Sequence, residues 1–213
     1  MANTRKLVWI SAMTGLAVVV AACSSSGSAV TSPPQNGAVK LQLTDAPFST
    51  DSVKSVNVYV VRVDGRMAAA DSAAADSATM GDSASAGGWT TLAMPDTTVD
   101  LLSYQNGNTM ALGSASLAAG SYSGFRMIID PTRSNLVLMN GDTLTGTSTP
   151  GIMFPSGSRS GIKINLSSPL TITAGDTTTM LLDFQVGNSF VMRGASMMQN
   201  GLIFKPVIQA SMH

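Results

Sequence analysis

In stretch after stretch of this chain, every second residue is apolar. "VKLQL" sets Val39, Leu41 and Leu43 on one side and Lys40 and Gln42 on the other. "GFRMIID" does the same with Phe125, Met127 and Ile129 against Arg126. "GIKINL" repeats it with Ile162, Ile164 and Leu166 against Lys163 and Asn165. Strand side chains alternate between faces, whereas a helix repeats every ~3.6 residues, so this pattern predicts strands with one buried face. "VNVYVVRV" keeps the phase at Val56, Val58 and Val60, then shifts to Val61 and Val63 around Arg62. That shift marks a bulge, or a strand buried on both faces. "TTTMLLDF" and "GLIFKPVIQ" continue the style, and "SYQNGN", "LMNGDT", "TAGDTT" and "VGNSF" supply turns between the runs.

Composition agrees. All twelve acidic residues are aspartate, with no glutamate anywhere. Glutamate favours helices, while Asp, Gly, Ser, Thr and Asn favour turns. The expected fold is all-β: a two-sheet antiparallel β-sandwich, immunoglobulin- or transthyretin-like, over residues 37–213. Twelve basic residues balance the twelve acidic ones, so no basic excess points to nucleic acid.

The N-terminus predicts location. Arg5 and Lys6 precede a mostly apolar run over residues 7–22, broken by Ser11, Thr14 and Gly15. A bilayer span needs about 20 apolar residues, so residues 1–22 read as a secretory signal peptide. The run ends in "VAAC", residues 20–23, which resembles the lipobox of bacterial lipoproteins. That resemblance implies cleavage between Ala22 and Cys23, a diacylglyceryl thioether on Cys23, and acylation of the new amino group. Two or more acyl chains hold a protein stably on a membrane. In a host with two membranes, Ser24 in place of aspartate implies sorting to the outer membrane, with the domain facing the periplasm or the cell surface. In a host with one membrane the anchor lies in the plasma membrane. Residues 23–36, rich in Ser, Gly and Pro, read as a flexible tether. Residues 67–88 carry "AAADS" twice in tandem and read as a disordered, low-complexity loop insertion.

A second resemblance lies in the order of "LQLTDAP", a valine-rich strand, "GWTTL", "VDLLSYQNGN", "LAAGSYSGFRMII", "PSGSRSGIKI" and "LLDFQV". This order is similar to DUF4382, a domain family of unknown function found in bacterial lipoproteins. The resemblance implies a fold and a location but no chemistry.

Each of these motifs also has a structural reading. Asp45 in "TDAP" is expected to accept backbone N–H groups, with Pro47 closing the strand. Gly120 permits a turn, after which Tyr122 packs its ring and ties its hydroxyl to backbone. Asp183 is expected at a sheet edge or paired with a basic residue such as Arg126. Calcium binding by Asp71, Asp76 and Asp82 fails on spacing.

No catalytic residues are assigned. The one histidine, His213, ends the sequence, and a triad needs an imidazole held by a third group. "SGIK" places Ser160 and Lys163 at Ser-x-x-Lys spacing, but in a strand pattern rather than at a helix start. "GSYSG" and "GSRSG" put Tyr122 and Arg159 where a nucleophile elbow needs serine. No metal site and no cofactor are expected, and the dispersed methionines read as core filler. The reading is a non-catalytic, lipid-anchored binding or interaction module for a protein or another envelope or extracellular component. The alternatives are a structural subunit of a surface assembly and a carbohydrate-binding module. The thin supply of aromatics, Trp89, Tyr59, Tyr104 and Tyr122, argues against the last.

Overall fold

Alternation becomes burial as expected in the first strand, β1 (Asn36–Asp45), where Val39, Leu41 and Leu43 are buried and Lys40 is exposed. The structure, a computed structural model, describes residues 35–47, 51–68, 88–155, 160–166 and 168–213. The expected signal peptide, Cys23, most of the expected tether and residues 69–87 of the expected insertion lie outside these. Strand β1 already begins at Asn36, which was expected to end the tether.

The chain continues through β2 (Val53–Met67), β3 (Thr90–Ala93), β4 (Thr97–Asp100), a 3-10 turn (Leu101–Tyr104), β5 (Met110–Ala118) and β6 (Gly120–Ile129). Then come β7 (Asn135–Leu138), β8 (Thr143–Thr145), β9 (Ile152–Met153), β10 (Ile162–Leu166), β11 (Leu170–Ile172) and β12 (Thr177–Phe184). The last part holds α1 (Val186–Ser189), β13 (Phe190–Met192), α2 (Met197–Asn200), β14 (Leu202–Phe204) and β15 (Ile208–Met212).

The fold is all-β, but its sheets are mixed and curled. The main sheet runs β5-β1-β12-β15-β10-β6-β2-β7-β8, with β11 also on β6, and β3 and β4 on β2. A three-stranded sheet, β13-β14-β9, accompanies it. The expectation of purely antiparallel pairing is corrected: β1 with β12, β10 with β15, and β14 with β9 are parallel. Turn signals report hairpins between sequence neighbours, whereas these pairs join distant segments on which local sequence is silent.

The phase shift in "VVRV" is a bulge. Val60 stands opposite Ile129 and Arg62 opposite Ile128, so Val61 is the extra residue. Curling brings β3 against β5, where a Cβ on Gly113 would lie only 3.0 Å from that of Ala93. The core is one continuous cluster that includes Leu41, Val60, Phe125, Met127, Leu182 and Phe184. Phe204 joins the small sheet to it, with Phe154, Phe184 and Phe190 at ring-centroid distances of 5.2, 6.1 and 5.0 Å. Met127 and Met180 fill core, but Met94, Met139 and Met192 are exposed, so core filling accounts for only some of the methionines. Tyr122 behaves as expected: it is buried, and its hydroxyl donates to the Ala118 carbonyl at 3.2 Å.

Candidate functional site

On the solvent side of the main sheet the bulge in β2 sets Arg62, Asp64 and Arg66 on one face, at alternate positions. Cross-strand register then lines up Thr91, Asp64, Arg126 and Lys163 across β3, β2, β6 and β10. Asp64 is wholly buried on this outward face. Arg126 Nε donates to its Oδ2 at 2.9 Å, Arg62 Nε to Oδ1 at 3.1 Å, and the Thr91 hydroxyl to Oδ1 at 3.1 Å. A buried carboxylate held by two guanidiniums and a hydroxyl has the partners that burial of charge requires.

Trp89 lies across Gly124, 3.4 Å from where a Cβ would be. The Arg126 and Arg66 guanidiniums sit 4.4 and 5.2 Å from its ring centroid. Such cation–π contacts hold long side chains in place. Among the described residues Arg66 has no carboxylate partner, and Arg62 and Arg126 share the single carboxylate of Asp64, so positive charge is in excess on this face. A surplus of positive charge at fixed positions can receive oxyanions.

The face continues with a different character. Asn165, Gln209, Asp183 and Thr44 stand side by side across β10, β15, β12 and β1. Asn165, Asp183, Gln209 and Ser211 line a cleft of about 490 Å3. Asp183 does not pair with Arg126, whose carboxylate partner is Asp64. Instead, Asp183 Oδ1 is buried with no hydrogen-bond partner among the described residues.

Asp45 is buried at the end of β1. It accepts from the Val186 N–H and from Gln105 Nε2, both at 3.0 Å, and so ties α1 and the segment after the 3-10 turn to the strand. Burial pushes its carboxyl from 3.8 up to about 6; the Gln105 and Val186 hydrogen bonds oppose this, and the nearby Asp183 charge adds to it. By strand alternation Asp45 shares the inward face with Leu43, and Asp183 the outward face with Thr44, so the two do not form a facing pair.

Of the residues singled out in the sequence, Ser160 lies in a turn and Lys163 in a strand, which is not the helical setting that a Ser-x-x-Lys nucleophile uses. His213 is not frayed: its N–H and carbonyl both bond the Thr179 backbone at 3.0 Å. Among the described residues no group of three or more His, Cys or Asp is placed to hold a metal ion. Likewise, no helix among them is long and apolar enough to cross a membrane. The cluster around Asp64 was not singled out in the sequence, although "RVDGR" spaces Arg62, Asp64 and Arg66 as one strand face.

A search of curated proteins found no match. The family described as a domain of unknown function (DUF4382) matches residues 36–206, from the first residue of β1 to just past β14. With most of its length matched, ordered around this curled sheet, the chain belongs to the DUF4382 family.

Proposed function

We propose that this protein is a lipid-anchored envelope lipoprotein whose β-domain binds an envelope or extracellular partner through its cationic outward face, without catalysis. The finer architecture belongs to the same reading: the curled sheet and its smaller companion serve as the layers of an immunoglobulin- or transthyretin-like sandwich. The observation that carries the binding role is the arrangement around Asp64. A fully buried carboxylate fixes two arginines on a solvent-facing sheet, and Trp89 holds one of them together with a third. Prearranged charge of this kind lowers the ordering cost of binding. Because Arg66 and Arg126 lie over the Trp89 ring, that ring is less suited to stacking on a sugar.

A photo-crosslinking amino acid placed at Arg66 tests the face in intact cells. The expected result is a discrete adduct from this position and none from Asn140, in the turn between β7 and β8. Equal labelling from both positions contradicts the assignment. The anchor is supported by "VAAC" at residues 20–23, and sorting by Ser24. In a host with two membranes, density-gradient fractionation is expected to place the protein with outer-membrane markers. Co-migration with inner-membrane markers contradicts the sorting.

A further inference from the structure

Exposed apolar side chains are concentrated in one part of the domain. Of the six large ones among the described residues, Met153, Val191, Met192 and Met198 belong to the three-stranded sheet or to the connection from β13 to β14. Register gathers three positions into one strip: Val191 stands opposite Ile203, and Ile203 opposite Met153. Neighbouring strands lie about 4.8 Å apart, so these side chains are contiguous. Val191 is 42 % exposed and Met153 46 %, whereas Ile152, Leu202 and Phe204, at the alternate positions, are buried. The strip therefore faces away from the core. Positive charge flanks it on both sides. Alternation sets Arg193 on the face of Val191, and the Arg193 N–H still bonds the Gly201 carbonyl across the hairpin at 3.0 Å. In the same way Lys205 follows Ile203, and it lines a cleft together with Pro155, two residues past Met153. Both cations are exposed, and neither forms an ion pair among the described residues. No acidic residue occurs between Asp142 and Asp176 or after Asp183, and these two stretches supply all three strands. Asp51 lies on the other side of the small sheet, lining a cleft with Phe190 and Leu202.

An apolar row with cations on either side and no carboxylate in its strands suits the boundary of an anionic bilayer. We propose that the outer face of the small sheet docks on an anionic phospholipid surface. Val191, Ile203 and Met153 would enter the headgroup region, and Arg193 and Lys205 would meet the lipid phosphates. Long cationic side chains lie along apolar surface while their heads reach for such groups. The uniform sign of the charge and the expected anchor favour lipid over a protein partner. Reach permits the contact. The Asp45–Val186 hydrogen bond ties α1, and β13 after it, to the end of β1 away from Asn36. Strand β1 has 10 residues and is about 33 Å long. The 36 − 23 = 13 steps of chain from Cys23 to Asn36 extend to about 45 Å. An anchor at Cys23 therefore lets that end of the domain come down on the membrane. The proposal rests on the anchored reading and adds a second membrane contact, on a sheet other than the one that carries Asp64.

The methionines themselves provide the test, because Met153 lies in the strip while Met94 and Met139 are exposed elsewhere. Full-length protein, isotope-labelled at its methionine methyls, is purified from membranes, placed in lipid nanodiscs and followed by NMR. The discs hold phosphatidylcholine and phosphatidylglycerol with a trace of lipid spin-labelled in the headgroup. The Met153 methyl signal is expected to fall by roughly twofold or more relative to those of Met94 and Met139. Val191→Asp is expected to remove most of this difference. Arg193→Gln/Lys205→Gln is expected to do the same while leaving Tm unchanged, and discs of phosphatidylcholine alone to weaken it. Equal loss at the three methionines, or a loss at Met153 that neither lipid charge nor the glutamine variant changes, would overturn the proposal. Mass spectrometry of the N-terminus decides the anchor separately, and a chain without acyl groups gives the same reading with discs in excess.

Discussion

Replacing Asp64 with alanine is expected to destabilise the domain by about 3 kcal/mol, read by chemical denaturation. The wild-type carboxylate is fully buried, and it neutralises Arg126, whose side chain is 15 % exposed, and Arg62, at 33 %. Without it, two guanidiniums press together on one sheet face, and Arg126 keeps little water to compensate. The larger figures known for buried pairs do not apply, because Arg62 is partly solvated. The Thr91 hydroxyl also loses its acceptor. Adding Arg126→Met to Asp64→Ala is expected to restore part of the loss, since it removes the more buried of the two guanidiniums left without a carboxylate and leaves only the partly solvated Arg62 unpaired. A loss below about 1 kcal/mol, or strictly additive effects, would show that the network contributes little.

The second large effect is a dependence on pH set by Asp45. Its carboxyl titrates at about 6 in the folded protein, against an ordinary value of 3.8. A raised folded value means that the native state holds the proton more tightly than the unfolded chain does. The associated stability is therefore fully present below 3.8 and is lost as the pH rises through about 6. The full span corresponds to about 3 kcal/mol. Asp130 acts in the other direction and in another range. Hydrogen bonds from Thr132 and Arg133 lower its carboxyl to about 2, so its contribution is present above 3.8 and fades as the pH falls toward 2. With these opposed slopes, the stability contributed by the two groups is greatest near pH 4. Asp45→Asn is expected to flatten the loss between pH 4 and 6 and to raise stability at pH 7 by about 1–3 kcal/mol. The asparagine keeps an oxygen for the Val186 N–H, and the Gln105 amide can turn to present its own oxygen. Denaturation curves at pH 4, 5, 6 and 7 read this directly, and parallel profiles for the variant and the wild type would contradict it.

How far the sequence reaches is clearest in single strands. Alternation assigns the two faces of β1 and β10 almost residue by residue, because a half-buried strand records its environment with a period of two. Likewise the doubled valine of β2 betrays its bulge. Partner choice does not appear in the same signal. Nothing local in β1 or β12 says that these strands run parallel, since the segments between them set their directions.

The candidate site was hidden for the same reason. On alternation alone Asp64 is an outward polar residue, and its burial depends on Thr91, Arg126 and Trp89 arriving from other strands. Asp45 owes its raised carboxyl to burial at the end of β1, and the groups that bond it there, Gln105 and Val186, follow it by 60 and 141 residues. For Asp183 the sequence leaves a sheet edge or a basic partner such as Arg126 open, and the structure pairs that arginine with Asp64 and sets Asp183 in β12, between β1 and β15.

The claim on which the functional account depends is that Cys23 holds the domain on a membrane, and mass spectrometry of the detergent-extracted protein tests it directly. The expected result is an N-terminal peptide that begins at Cys23, with residues 1–22 removed, the thiol carrying diacylglycerol and the amino group acylated. An uncleaved chain, or a mature N-terminus elsewhere with Cys23 unmodified, would contradict it.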